Sequence, residues 1–488
     1  MVISHKINTF AKNRIILMQL QKILNQLLVV SILVGGCQTV DLSPSIVEDD
    51  DSESPLFVSN KITPDVVKTY LTGYKGMVDT KAADVEISAV VHEGDTVMYL
   101  VNYPEGGWEL LSADRRVPTR LMVGESGMRT LNDIKTHPGM SILLDDMSRQ
   151  IKTIMQSTCT SPVAENGILW DRIDYHSPDT KSNDILWNLY DTEVVYLDSI
   201  DVRHLIKTHW GQSTNGSRWY NRYVPYINSS KTNTSAGRCV VGCVPVSAGQ
   251  MLAYLVPKIG VNTTCTFSEC LCNSYVPSNS TSVGYGDNFI PNVSSSMSNS
   301  VYWNKVRGLS GTIEEQDKVI SVLLAYLGYL LDATYEYYWD AEDSSYVRAT
   351  SAYTTDIPEV FLDEYNIKCD CVDWNHGIVS TQISNNKMPV IVRAHDDTGA
   401  GHSWIVDGYY HMCSVVNYYY VGVDPSTNQT VYRTEQRVGE CEEFFTMNWG
   451  WFGDGDDGSY YIDSSTWKTE DDELPLKNGR KIVYGFTH

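Results

Sequence analysis

A cysteine stands at the head of a helix-forming run in Gly242-Cys243-Val-Pro-Val-Ser-Ala-Gly-Gln-Met-Leu-Ala-Tyr254, and this segment restricts the chain more than any other. Pro245 suits a first helical turn, where a missing N–H costs nothing. Val246, Gln250, Leu252 and Tyr254 continue the helix, so the Cys243 thiol meets the positive end of a helix dipole. Such a thiol is disposed to ionise, and a nearby imidazole would complete its activation as a nucleophile. Taken alone, the segment also fits a small buried cysteine with no chemistry.

An imidazole follows in Gly401-His402-Ser-Trp-Ile-Val-Asp-Gly-Tyr409. The β-branched run Met388–Arg393 and the segment Ser403–Asp407 predict strands, with His402 where a loop enters the second. A third piece, Phe444-Phe-Thr-Met-Asn448-Trp449-Gly450-Trp451, precedes a turn-rich Gly/Asp stretch. Cysteine, then histidine, then asparagine is the chain order of papain-like peptidases.

With Thr208-His-Trp-Gly-Gln212 added ahead of the cysteine, four motifs stand in order, and the chain resembles the streptopain family of bacterial papain-like cysteine peptidases, including Bacteroidetes-type lipoprotein zymogens. The resemblance covers most of residues 200–465. It implies an α+β papain-like fold, with a helical part carrying the nucleophile and an antiparallel sheet part carrying His and Asn, preceded by a smaller α+β inhibitory pro-domain. It further implies that Cys243 is the nucleophile, His402 the general base, Gln212 an oxyanion-hole donor and Asn448 the group orienting the imidazole, with Trp449 shielding that hydrogen bond. Peptide hydrolysis needs these functions: a thiolate, a proton carrier for the leaving amine, and donors aimed at the tetrahedral oxyanion. Asp407 and Asp424 are the alternatives to Asn448 for orienting the base. Two departures bear on cleft shape: a longer Ser213–Asn221 stretch after the glutamine, and Pro245 and Val246 where small residues are expected.

At the N-terminus, basic Lys12, Arg14 and Lys22 precede the apolar run Leu27–Val34, which is too short to span a bilayer as a mature helix. Val34-Gly-Gly-Cys37 resembles a bacterial lipobox, implying lipidation of Cys37; an ordinary signal peptide with an incidental cysteine is the alternative. Translation starting at Met18 would leave a compact signal. The acidic stretch Val47–Glu53 cannot bury a core and reads as a solvated tether or an export signal. Residues 97–103 and 108–111 predict a hairpin, and residues 56–125 resemble the family's inhibitory propeptide. Met140–Met155 predicts a helix closing the pro-region, and residues 176–184 an exposed linker where maturation could cut.

Gln316–Leu331 predicts a core helix, while Thr334–Thr355 reads as a loop flanking the specificity pockets. The net charge of −23 argues against nucleic acid or anionic membrane surfaces as main partners. Of eleven cysteines, setting aside Cys37, Cys159 and Cys243 leaves eight that permit disulfides of undetermined pairing. Cys270/Cys272 and Cys369/Cys371 have the spacing of a weak zinc motif; no cofactor or metal is expected, and His204, His209 and His395 read as structural or surface residues. The expected division is residues 1–36 signal, 37–55 tether, 56–190 inhibitory pro-domain and linker, and 191–488 catalytic domain. The expected partners are peptide substrates and the chain's own pro-domain, with an outer-membrane lipid anchor facing the surface or periplasm. A catalytically inactive surface-binding lipoprotein and a transglutaminase-like acyl transferase are the competing readings.

Overall fold

Near-continuous apolar runs between residues 86 and 124 build an antiparallel meander. The computed structural model describes residues 60–73, 84–157, 180–182, 185–259, 275–276, 280–283, 299–340, 344–395, 399–456, 458–460 and 479–488. Cys37, the signal run, the acidic tether, Cys159, Cys265, Cys270 and Cys272 lie outside them, as do residues 176–179 and 183–184 of the expected linker. Helix α1 (Pro64–Gly73) is followed by β1 (Glu86–His92), β2 (Asp95–Asn102), β3 (Trp108–Ser112) and β4 (Arg120–Gly124). The expected hairpin is β2–β3, closed where Tyr103 N–H donates to the Gly107 carbonyl and Gly106 N–H to the Tyr103 carbonyl. Helices α2 (Leu131–Thr136) and α3 (Pro138–Gln156) follow, the first started by a Thr130/Asp133 capping box. The second is capped by the His137 ring, which accepts from the N–H groups of Gly139 and Met140.

The chain continues through β5 (Thr180–Ser182), β6 (Ile185–Val202), the short β7 (Thr214–Asn215) and β8 (Arg218–Trp219), and α4 (Cys243–Ile259). Then come β9 (Ser280–Val283), α5 (Asn299–Val306), α6 (Ile313–Leu330), β10 (Thr334–Asp340), β11 (Ser345–Ser351) and α7 (Ile357–Tyr365). The last elements are β12 (Lys368–Asp373), α8 (His376–Ser384), β13 (Val390–His395), β14 (Gly401–Val423), β15 (Thr430–Asn448), β16 (Gly458–Tyr460) and β17 (Lys481–Thr487).

One sheet unites early and late strands in the order β1-β2-β3-β4-β16-β15-β14-β13-β17-β12, and β6 pairs with the outer part of β14. Strand β16 is the bridge, pairing with β4 on one side and β15 on the other. The sheet is covered on both faces, which explains the unbroken apolar run of β13. Ile391, Ile405 and Val483 face a core with α4 and α6, whereas Val390, Val392, Trp404 and Ile482 face a second core shared with α3 and α8. Residues Ser59–His488 accordingly form one compact unit. Polar bonds reinforce the join: Arg480 pairs with Asp146, both buried, and Arg120 bonds Glu442 at 2.6 Å and Glu109 at 3.2 Å. Removing one partner of such a buried pair costs about 3–5 kcal/mol.

One expectation changes. Thr334–Thr355 is largely the hairpin β10–β11, because Tyr335 is buried in the helical core and strand pairing supplies the backbone hydrogen bonds. The segment before the catalytic half is β6, a long strand registered from Val202 opposite Tyr409 to Trp187 opposite Gly422. The Ser213–Asn221 stretch folds into β7–β8 and is anchored on α6, where Arg218 pairs with the buried Asp317 at 2.9 Å.

Candidate active site

Gly242 precedes the helix with φ +97, and a Cβ there would lie 2.8 Å from Thr350 Cγ2, so only glycine fits. The loop before it is tied to β11: Arg348 donates to the carbonyls of Ser235 and Arg238, and Thr350 donates to that of Val240 at 2.8 Å. Cys243 then opens α4, as the sequence predicts. Burial pushes its thiol up, while the backbone N–H groups of Ser403, Cys243 and Val244 pull the other way. Helix-end amides do address the sulfur, but desolvation outweighs them.

Cys243 and His402 line one cavity of about 680 Å³, together with residues of β11, β13 and the Asp332 and Tyr353 loops. His402 is buried, and its Nε2 lies 2.9 Å from the carbonyl oxygen of Trp449. Its ring stacks on Trp404 with centroids 6.1 Å apart, and Trp404 packs on Trp449 at 5.3 Å. Burial lowers the His402 pKa to about 4, partly countered by the Trp449 carbonyl and assisted by the neighbouring His137.

Asn448 is occupied elsewhere. Its Oδ1 accepts from Gln250 Nε2 at 2.8 Å and its Nδ2 donates to the Thr208 carbonyl at 2.7 Å. Here the Trp449 main chain, not the Asn448 side chain, contacts the imidazole. Asp407 does not contact it either; its carboxyl bonds to Thr446 and Ile206 and is pushed up to about 7 by burial. Asp424 sits beyond the far end of β14, bonded to Ser426. Gln212 lies beside the nucleophile loop, its carbonyl accepting from Val241 N–H at 2.8 Å, and its side chain is not part of the cavity wall.

Three residues not singled out as site residues hold this arrangement. Gln250, two turns along α4, accepts from the Thr208 hydroxyl and Trp210 N–H while donating to Asn448, so it joins three of the four motifs. Its signal was a polar side chain at i+7 from Cys243, on the same helical face as Ser247, which bonds Ser403 at 2.9 Å. Asp456, in the turn-rich segment, accepts Trp449 N–H at 2.9 Å and contacts His209 Nδ1 at 2.8 Å. His137 comes from the early region: its ring meets Trp449 edge-on at 5.4 Å, and burial lowers its pKa to about 4. Next to it, a Cβ on Gly139 would stand 2.1 Å from the Trp449 ring. No local pattern announces that contact.

Among the described residues no cluster of three metal-binding side chains occurs. Cys369 and Cys371 are free thiols, whereas Cys413 is in a disulfide and lies opposite Cys441 in the β14–β15 register.

A helix-end cysteine sharing a cavity with a buried strand histidine defines the thiol-peptidase class of site. The family model of the Peptidase C10 family matches residues 210–461, and the chain belongs to that family: it is a cysteine-type peptidase of the streptopain kind. A search of curated proteins finds no match. Among solved structures, a prointerpain A fragment from Prevotella intermedia is 16% identical with a TM-score of 0.46, covering 83% of this chain and 99% of that one. The active interpain A cysteine protease of the same organism is 18% identical with a TM-score of 0.33, covering 60% of this chain and 97% of that one.

Proposed function

We propose that the chain is an endopeptidase zymogen whose early region, residues 84–157, keeps the catalytic histidine out of use. The observation carrying this reading is the His402 ring held by the Trp449 carbonyl and Trp404, with the start of α3 pressed on Trp449. No hydrogen bond joins His402 to Cys243, so the two are neighbours in one cavity without being an ion pair. Maturation within residues 158–184 would separate α3 from β6 and allow the imidazole to turn toward the sulfur.

In the released enzyme, His402 takes the Cys243 proton and the sulfur attacks the scissile carbonyl carbon. The oxyanion is held by the Cys243 N–H and the Gln212 amide. Collapse expels the amine, which takes its proton from His402, and leaves a thioester; water, deprotonated by His402, then releases the acid and restores the thiol. Asn448 and Trp449 position the base. Signal cleavage before Cys37 and lipidation there would anchor the precursor at the outer membrane.

Product analysis on a peptide library tests the reading. Hydrolysed peptides, lost in Cys243→Ala together with alkylation at that site, are expected; cross-linked peptides would favour the acyl-transferase alternative, and no turnover after cleavage within 158–184 the binding-protein one. Metabolic labelling with a fatty acid, lost in Cys37→Ala, tests the anchor.

A further inference from the structure

The hairpin β10–β11 has two ends of different character. Its base belongs to the catalytic cavity: Thr334, Thr350 and Ser351 are on the wall that also carries Cys243. Its outer end is aromatic and open to solvent, with Trp339 50% and Tyr346 48% exposed. Tyr346 stacks on Tyr337 with centroids 4.9 Å apart and 19° between planes, and Trp339 meets Tyr346 edge-on at 5.2 Å. The register places Trp339 opposite Tyr346 and Tyr337 opposite Arg348, so these rings share one face with Arg348 and Thr350. Those two side chains tie the hairpin to the nucleophile loop. One face of one hairpin thus runs from the nucleophile loop to an exposed aromatic cluster.

β11 is also the edge strand of its three-stranded sheet, ordered β11-β10-β9. An edge strand offers backbone groups to an added extended peptide, and exposed tyrosine and tryptophan offer apolar area at low entropic cost. Large aromatic rings left in water are unfavourable by themselves and favour a partner that covers them.

We propose that the outer part of this hairpin is a docking surface for the substrate polypeptide, holding an aromatic or large apolar side chain several residues from the scissile bond. The proposal rests on the peptidase reading, which makes an extended polypeptide the occupant of the cavity and of the surface continuous with it. Four residues of strand separate Thr350 from Tyr346, which corresponds to about 13 Å and about four residues of extended substrate. Binding energy gathered there serves long substrates and is absent for short ones.

The test uses the full chain under conditions in which it hydrolyses peptides, comparing it with Trp339→Ala, Tyr346→Ala and the double variant. Two substrates share one cleavage sequence: a short peptide filling only the cavity, and a longer one with a tryptophan about four residues to one side or the other. The double variant should raise KM for one of the long peptides about tenfold while leaving kcat and the short-peptide rate unchanged. Equal kinetics on both substrates for parent and variants would overturn the docking surface. Equal losses on short and long peptides would mean that the rings only support the hairpin. Absence of any hydrolysis by the parent would instead overturn the peptidase reading.

Discussion

Cys243 and His402 occupy one cavity but are held by different parts of the chain. The thiol is held within the catalytic half: Gly242 against Thr350, the loop tied to β11, Val241 against Gln212, and Ser247 against Ser403. The imidazole is held by Trp404 and the Trp449 carbonyl, and Trp449 is in turn packed by His137 and Gly139 from α3. The nucleophile is therefore built in, whereas the base depends on a region outside the papain-like motifs. The proposed latency would therefore act on the histidine side, and the cavity wall that carries Cys243 includes no residue of the early strands.

The largest effects test whether the two sides form one catalytic unit. Cys243→Ala and His402→Ala should each lower kcat/KM by about 10⁴-fold or more, and the double variant should be no worse than either. Additive losses in the kinetics would separate the two residues into independent roles. Gln250→Leu strikes the link between the halves. It leaves Asn448, the Thr208 hydroxyl and Trp210 N–H without their partner, so kcat in the processed enzyme should fall roughly tenfold while KM changes little. Unchanged kcat would reduce Gln250 to packing.

Gly139→Ala addresses the α3 contact directly. The added methyl cannot coexist with the Trp449 ring at its present position, so the helix start must move and the uncleaved chain should gain basal hydrolysis, by several-fold on the scale of about 1 kcal/mol of lost packing. An inactive, equally stable variant would show that the contact does not maintain latency.

The smallest effect concerns acid. His137 is lowered to about 4 from an unfolded value near 6.5. Above about pH 6.5 both states are neutral there and no difference arises. As pH falls from 6.5 toward 4 the unfolded chain takes the proton first, so the latent fold loses stability, by at most about 3 kcal/mol from this residue. His402 acts in the same sense, whereas Asp407, raised to about 7, gains stability for the fold over the same interval as it protonates. His137→Asn keeps a good helix cap and removes the titration, together with the ring contact to Trp449 and the contact with the Asp454 carbonyl, so the two chains are compared by their change between the two pH values. Chemical denaturation of the uncleaved chain at pH 7 and pH 4.5 should therefore show a smaller acid loss in the variant than in the parent. Equal losses would place the acid sensitivity elsewhere.

Much of the catalytic half was legible because its signals are local. A proline near a helix start, a glycine before it, β-branched runs and the apolar face of Gln316–Leu331 set α4, β13 and α6 close to their expected places, whereas the Thr312/Glu315 capping box that starts α6 at Ile313 went unread. Chain order of cysteine, histidine and asparagine, with the accompanying motifs, determined the chemistry and the family. The tertiary structure decided the rest through contacts between residues far apart in the chain. It turned Asn448 to Gln250 and His402 to the Trp449 carbonyl, made β16 the bridge between β4 and β15, and paired β6 with β14. It also set the start of α3 against Trp449. Periodicity and capping report what a segment prefers by itself; which buried polar atom finds which partner depends on a core that exists only once the whole sheet has closed.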